Sequence, residues 1–190
     1  MKRQRGVGLV EVLVTFLVLS IGLLGLASTQ RATVKENFDT AQRSQSMWLV
    51  QELIERMRAN PDGLASGYTV AAGVVNGDCS APAKLCSSHH YDGASKVAAA
   101  TDCSADEMAA SDVWEVYCGY QNADVTSNSV DSLQLTGVAI SCLPVTAGVC
   151  DDDANFTVAM SWTARSVESQ VGAGQTTEAS EKTISLTVRP

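Results

Sequence analysis

Residues 7–27 read VGLVEVLVTFLVLSIGLLGLA and follow a short basic leader, MKRQRG, at residues 1–6. Glu11 is the only ionisable side chain in this apolar run, which has about the ~20 residues that a helix needs to cross a bilayer. A carboxylate in a membrane segment costs free energy unless it is paired, so such acids are usually functional. We therefore expect a membrane helix at 7–27 in which Glu11 has a partner.

Two simpler interpretations of the same segment compete with this one. A secretory signal peptide would be removed after a small residue, here between Ala27 and Ser28, although its apolar region is normally shorter and carries no acid. A plain single-pass anchor would keep the segment, with the basic leader in the cytoplasm and Glu11 reaching towards the interface. Both remain open on these residues alone.

The junction between the leader and the apolar run resembles the class III signal sequence of type IV pilin-like proteins. Gly6 ends the basic leader, a hydrophobic residue follows, and Glu11 is the fifth residue after that glycine. The resemblance implies that a membrane prepilin peptidase cuts after Gly6 and methylates the new amino terminus at Val7. The family usually has Phe at the position of Val7, so this residue is a modest departure from its pattern.

The spacing between Val7 and Glu11 has a physical meaning if the leader is removed. The new amine and the carboxylate would lie about 6 Å apart along the helix axis, at 1.5 Å per residue. Both charges are poorly solvated in lipid, and each can be paired by its complement on a neighbouring subunit. A head-to-tail contact of this kind repeats into an open filament. Glu11 is therefore predicted to act in assembly and to have no catalytic role.

Charge and cysteine content describe an exported, acidic domain after this helix. The chain of 190 residues has a formal net charge of −8, which disfavours nucleic acid as a partner. All six cysteines follow the apolar run, and an even number in an exported domain indicates disulfides. Several pairings are open, and we favour Cys142 with Cys150, which closes a short loop. The disulfide candidates are Cys79, Cys86, Cys103, Cys118, Cys142 and Cys150.

The sequence carries no constellation for catalysis or for a cofactor. A nucleophile elbow, a metalloprotease motif and a phosphate-binding loop are all missing from it. A zinc site from Cys79, Cys86, His89 and His90 would have an uncommon ligand spacing. Residues 151–153 and Asn155 could hold calcium through oxygen ligands, but an acidic turn is the commoner case. We expect neither an enzyme nor a metal site.

The helical pattern continues from Ala27 to Asn60, because no glycine interrupts it and the first proline is Pro61. Read at 100° per residue, this part has two apolar faces. The first should cover a sheet and consists of Met47, Val50, Leu53, Ile54 and Met57. The second should pack on other subunits of a filament and consists of Val34, Phe38, Ala41 and Trp48. The alternative for Trp48 is a place in the core of its own domain.

Three segments are similar to the PilV family of minor pilins. They are ELIERMRANP at 52–61, LVLSIGLLGLA at 17–27, and the Trp-bearing segment that follows Cys103. This resemblance implies a low-abundance subunit that primes pilus assembly near the tip, together with other minor pilins and the major pilin. It also implies an inner-membrane assembly platform and a large tip adhesin as further partners.

The remainder of the chain predicts one helix and several strands. Residues 62–102 have little periodicity and are expected to form a long loop held by cysteines. Ser104 and Glu107 form a capping box that should start a helix, with Met108 and Trp114 in the core. Apolar residues then alternate in three stretches, and the segment between the last two fits a hairpin end. The stretches are 133–142, 156–163 and 184–188.

These patterns predict an α+β architecture, which is the type IV pilin-like fold: a long N-terminal helix on an antiparallel sheet, with disulfide-rich loops. The expected organisation is a cleaved leader at 1–6, a transmembrane helix at 7–27, an amphipathic helix at 28–60 and a periplasmic head at 61–190.

The resemblance implies a minor pilin of the bacterial inner membrane, surrounded by membrane lipid and with its N-terminus in the cytoplasm. It would later enter an extracellular pilus that supports twitching motility and adhesion. A minor pseudopilin of a type II secretion system and an unprocessed, membrane-tethered periplasmic binding module are the alternatives.

Overall fold

The longest element is a helix of 51 residues, α1 (Leu9–Ala59). In the computed structural model the described residues are 8–76, 79–90, 96–119, 133–164 and 181–190. The helix ends one residue before the predicted stop at Asn60, because the residue before a proline disfavours helical backbone angles. Arg56 and Arg58 stand in its last turn, where the negative end of the helix dipole favours cations.

The chain forms two compact units, Met1–Thr40 and Ala41–Pro190, and α1 contributes residues to both. In the first unit the large apolar side chains from Leu9 to Leu26 are all exposed. A window of 18 residues in α1 has a mean hydropathy of 2.5, so by length and composition this helix is able to cross a membrane.

The second unit contains the remaining helices and all the strands that the structure describes. A short 3₁₀ helix (Pro61–Gly63) follows α1. The other elements are α2 (Gly67–Val75), β1 (His89–His90), β2 (Lys96–Val97), α3 (Ala105–Tyr117), β3 (Leu135–Thr146), β4 (Val149–Thr163) and β5 (Glu181–Val188). The three longer strands pair antiparallel in the order β3-β4-β5, and a separate antiparallel ribbon pairs β1 with β2. This arrangement confirms the predicted α+β fold.

The core of the second unit combines one face of α1 with one face of the sheet. Val50, Leu53 and Met57 on α1 are fully buried, as the helical stripe predicted. Val158 and Met160 on β4 belong to the same cluster and are also fully buried.

Strands β4 and β5 cover the stretches predicted at 156–163 and 184–188 and begin before them. Strand β3 begins at Leu135, two residues after the predicted start at Leu133, and extends beyond Cys142. The predicted hairpin end between β4 and β5 falls at 165–180, which lies outside the described residues.

The prediction of a continuous loop at 62–102 was wrong, because this region contains α2. Its sequence, GYTVAAGVV, has no charged residue and two glycines, so it lacks both the polar face and the helix propensity that mark a surface helix. Tyr68 and Val75 are buried, whereas Val70 and Val74 are exposed. A Cβ at Gly67 would lie 2.6 Å from Asp106 Oδ1 and 3.2 Å from the Cα of Asp106 on α3, so a larger residue would force the Asp106 side chain to move.

The capping box that was predicted for α3 is present. Ser104 Oγ accepts a hydrogen bond from the backbone of Glu107, and Glu107 Oε2 accepts one from the backbone of Ser104 at 2.9 Å. Lys84 Nζ also donates to Glu107 Oε2 at 2.9 Å. The backbone of Ser104 and the ammonium of Lys84 lower the pKa of the Glu107 carboxyl. Trp114 is buried as predicted, and its indole N–H donates to the carbonyl of Cys79.

One side chain closes the outer edge of β3. Asn76 Nδ2 donates to the carbonyl oxygen of Val138, and the backbone N–H of Val138 donates to Asn76 Oδ1, both at 2.6 Å. The carboxamide thus replaces the backbone of a neighbouring strand, which satisfies groups that an edge strand would otherwise leave unpaired.

We expect Asn76→Ala to lower the free energy of unfolding by about 1–3 kcal/mol, because two hydrogen bonds of ~0.5–1.5 kcal/mol each are lost. Asn76→Asp keeps the acceptor for the Val138 N–H but sets a carboxylate oxygen against the Val138 carbonyl oxygen, so it should also be less stable than the wild type. Denaturant unfolding of the full chain in detergent measures both variants. Wild-type stability of Asn76→Ala would contradict the role given to this carboxamide.

Candidate assembly site

The apolar half of α1 contains three polar side chains, and two of them are satisfied by the helix itself. Thr15 Oγ1 donates to the carbonyl of Val12 at 2.8 Å, and Ser20 Oγ donates to the carbonyl of Phe16 at 2.7 Å. Such local bonds let hydroxyl groups reside in an apolar segment. The carboxylate of Glu11 has no hydrogen bond or ion pair with any residue that the structure describes, and the backbone N–H of Glu11 donates to the carbonyl of Gly8 at 3.0 Å. Its carboxylate is the group in this segment that still needs a partner.

Glu11 stands in the first turn of α1, and its side chain is exposed. The free backbone N–H groups and the positive end of the helix dipole favour a carboxylate at this position. Gly6 and Val7, the predicted cleavage and methylation residues, lie outside the described residues.

The residues predicted to pack on other subunits are accessible in the isolated chain. In the first unit, Val34 is 49% exposed and Phe38 is 48% exposed. In the second unit, Ala41 is exposed, and Trp48 is 71% exposed. The alternative interpretation, in which Trp48 belongs to the core of its own domain, is wrong. The packing of these four residues in a filament stays a prediction.

A charged network joins the last turns of α1 to α3. Arg56 Nη1 donates to Glu115 Oε2 at 2.9 Å and to Asp112 Oδ1 at 3.2 Å, while Arg56 Nη2 donates to Glu52 Oε1 at 2.7 Å. The hydroxyl of Tyr68 donates to Asp112 Oδ2 at 2.7 Å, so α2 is part of the same network. One guanidinium therefore connects three helices through carboxylates.

The surroundings of Arg56 and Tyr68 keep each of these groups in one protonation state near neutral pH. Burial lowers the pKa of Arg56, but hydrogen bonds with Glu115, Glu52 and Asp112 outweigh burial and raise that pKa above its ordinary value. Burial, together with the hydrogen bond and negative charge of Asp112, raises the pKa of the Tyr68 phenol. Neither group changes protonation near neutral pH, which suits a structural anchor.

Three disulfides hold the loops of the second unit. Cys142 pairs with Cys150, which is the predicted pair. Cys79 pairs with Cys118 at the end of α3, and Cys86 pairs with Cys103. Cys79 and Cys86 are therefore not available as zinc thiolates, which removes the proposed ligand set. Across the described ranges, no group of three metal-ligating side chains comes together.

Residues 151–153 lie in strand β4 and do not form the turn that the sequence suggested. Thr146 Oγ1 donates to Asp151 Oδ2 at 3.1 Å, and Asp153 Oδ2 lies 3.9 Å from Arg189 Nη2.

Comparison with known families matches two adjoining parts of the chain. Residues 1–27 match the prokaryotic N-terminal methylation motif, and residues 28–114 match a family described as Type IV pilin Tt1218. Searches of curated proteins and of solved structures gave no match. The α+β fold and the apolar N-terminal helix are consistent with these matches. The chain is similar to type IV pilins over residues 28–114 and carries the N-terminal methylation motif at 1–27.

We expect Arg56→Met to lower the free energy of unfolding by about 2–3 kcal/mol, because Asp112 and Glu115 would lose their cation in a poorly solvated place. The value is smaller than for a fully buried pair, since the Arg56 side chain is 25% exposed. Arg58→Met is the matched control: its pair with Glu55 is more exposed, and its loss should cost less than about 1 kcal/mol. Denaturant unfolding measures both variants. An equal decrease in the free energy of unfolding for both would contradict the role of Arg56 as an anchor between α1 and α3.

Proposed function

We propose that this chain is a minor pilin that helps to prime the assembly of type IV pili. It is inserted in the bacterial inner membrane with its N-terminus in the cytoplasm, is cut after Gly6 by a prepilin peptidase, and is methylated on Val7. The observation that carries this proposal is the carboxylate of Glu11, which has no partner among the described residues, whereas the hydroxyl groups of Thr15 and Ser20 bond the helix itself. The methylation motif at 1–27 supports the same processing.

In this proposal Glu11 sets the register of the subunit in the filament. When the subunit leaves the membrane, its carboxylate pairs with the amine of a neighbouring subunit, where both charges are shielded from water. Unpaired charges in an apolar environment are costly, so wrong registers are disfavoured. The contact is directional, because one subunit supplies the acid and the other supplies the amine.

The second part of α1 is proposed to pack against neighbouring subunits after extraction. Trp48 is a large side chain, and burying an aromatic residue of this kind dominates the energetics of many interfaces. Its exposure in the isolated chain leaves it free for such a contact. Val34, Phe38 and Ala41 would extend that interface along the helix.

The position near the pilus tip rests on the similarity to the PilV family. One of the three segments that carry this similarity, at 52–61, contains Arg56, which bonds α1 to Asp112 and Glu115 on α3. We propose that the chain acts there with other minor pilins, the major pilin and the inner-membrane assembly platform, and that it supports a large tip adhesin. Twitching motility and adhesion would follow from the pili that it helps to form.

A minor pseudopilin of a type II secretion system would use the same signal and the same helix. Deletion separates the two roles: loss of pili supports the minor pilin, and loss of protein secretion with normal pili supports the pseudopilin. An unprocessed, tethered binding module would keep the leader, so cleavage after Gly6 separates it from both pilin-like roles.

We expect Glu11→Leu to be processed normally but to be recovered in sheared filaments at about one tenth of the wild-type amount or less. A tenfold loss corresponds to ~1.4 kcal/mol, which is small for a charge pair in an apolar environment. Glu36→Leu is the matched control, because it makes the same change on α1 beyond the apolar run. Normal recovery of Glu11→Leu would refute the pairing role.

We expect Trp48→Ala to leave the free energy of unfolding within about 0.5 kcal/mol of the wild type, because the side chain is exposed. Its recovery in filaments should fall several-fold, since an interfacial aromatic side chain is removed. Gln45→Ala is a control at another exposed position of α1. If the Trp48→Ala chain folds and assembles as the wild type does, the proposed packing of Trp48 against neighbouring subunits is contradicted.

A further inference from the structure

The two edges of the three-stranded sheet differ in whether their backbone groups have hydrogen-bond partners. The carboxamide of Asn76 closes the outer edge of β3 through two hydrogen bonds with Val138. At the other edge, β5 ends the strand order, and none of the strands in the described ranges pairs with its outer side. An open edge is a template for pairing with another chain, and proteins normally block it.

The two hydrogen bonds between Asn76 and Val138 also indicate which backbone groups of β5 point outward. Both backbone groups of Val138 face Asn76, so those of its partner Met160 face β5. Met160 is opposite Ile184, and Ile184 therefore bonds β4. The alternation then directs the N–H and C=O groups of Thr183, Ser185 and Thr187 to the open edge.

A groove runs beside this edge, between β5 and the exposed side of α1. Its volume is about 650 Å³, and Leu186 and Val188 line it on the sheet side. Trp48 and Ile54 line it on the helix side. The charges at its rim are already neutralised, because Glu55 accepts a hydrogen bond from Arg58 at 2.6 Å. The groove thus offers apolar contacts next to a row of backbone donors and acceptors.

We propose that an extended segment of a neighbouring pilin subunit adds to the open edge of β5 as a fourth strand, with alternate apolar side chains in the groove. Backbone pairing at ~4.8 Å from β5 would supply the affinity, and the apolar positions would supply the specificity. This inference rests on the proposed function.

The choice of a neighbouring subunit follows from the continuity between the groove and α1. Trp48 forms part of the groove, and it is also the exposed aromatic residue of the helix by which a pilin assembles. An occupant that packs on α1 during assembly therefore meets the open edge in the same step. A compact apolar ligand would fill the groove but leave the backbone groups of β5 without partners.

Amide hydrogen exchange tests this proposal on the full chain. The chain is measured as a detergent-solubilised monomer and in filaments sheared from a strain that over-expresses it. Strand addition predicts that the amides of Thr183, Ser185 and Thr187 exchange at least about tenfold more slowly in filaments. The amides of Ile184 and Leu186 already bond β4 and should change much less.

A pair of substitutions at one residue gives an independent test. Ser185→Pro removes an outward-facing N–H, which an edge strand tolerates without loss of its pairing to β4. Ser185→Ala keeps that N–H and is the matched control. With both variants unfolding at temperatures near the wild type, Ser185→Pro should be recovered in filaments several-fold less than Ser185→Ala. Equal recovery would overturn the proposal.

The remaining outcomes are also decisive. Slow exchange of the three outward amides in the monomer would mean that the chain covers its own edge, which overturns the proposal. If the three outward amides become protected when the purified chain is concentrated alone, the occupant of the edge is a second copy of this chain. That result would overturn the proposal that a different pilin subunit binds there. If the chain is present in filaments but its three outward amides exchange as fast as in the monomer, strand addition alone is overturned. Absence of the chain from filaments would overturn the proposed function, and this inference with it.

Discussion

The apolar surface of the first half of α1 is the constraint on which the rest of the molecule depends. Its large side chains, from Val12 at 42% to Leu9 at 77%, are exposed in the isolated chain. Water is a poor solvent for such a surface, at a cost of about 25 cal/mol per Å². A bilayer and a bundle of similar helices are the two environments that remove this cost. A helix that exchanges one for the other needs a polar group to fix its position, and Glu11 is the ionisable side chain available.

The head is organised so that α1 is held firmly where it joins the folded unit. Arg56 forms the centre of this anchor, with Glu52 on its own helix and two carboxylates on α3. Helix α3 is in turn tied to the loops, because Trp114 bonds the carbonyl of Cys79 and the adjoining disulfide joins Cys79 to Cys118. If the proposed assembly is correct, a force applied to α1 would reach the second unit through these contacts.

Much of the fold could be predicted from the sequence because its signals are local. The stripe on α1, the capping box at Ser104 and the alternation along β4 each depend on neighbours within a few residues. Helix α2 was missed because its apolar, glycine-containing sequence has no polar face. The contacts of Arg56 with Asp112 and Glu115, and those of Asn76 with Val138, could not be predicted, because these partners lie more than fifty residues apart in the chain. Glu11 was found from sequence because it is a lone charge in an apolar run.

The mass of the N-terminal peptide of the native protein, isolated from membranes, tests the central claim most directly. Every step that follows from Glu11 requires a free amine close to it at the start of the helix. The account predicts a peptide that begins at Val7 and carries one added methyl group. A peptide that still begins at Met1 would contradict it, since the amine would then lie beyond the basic leader.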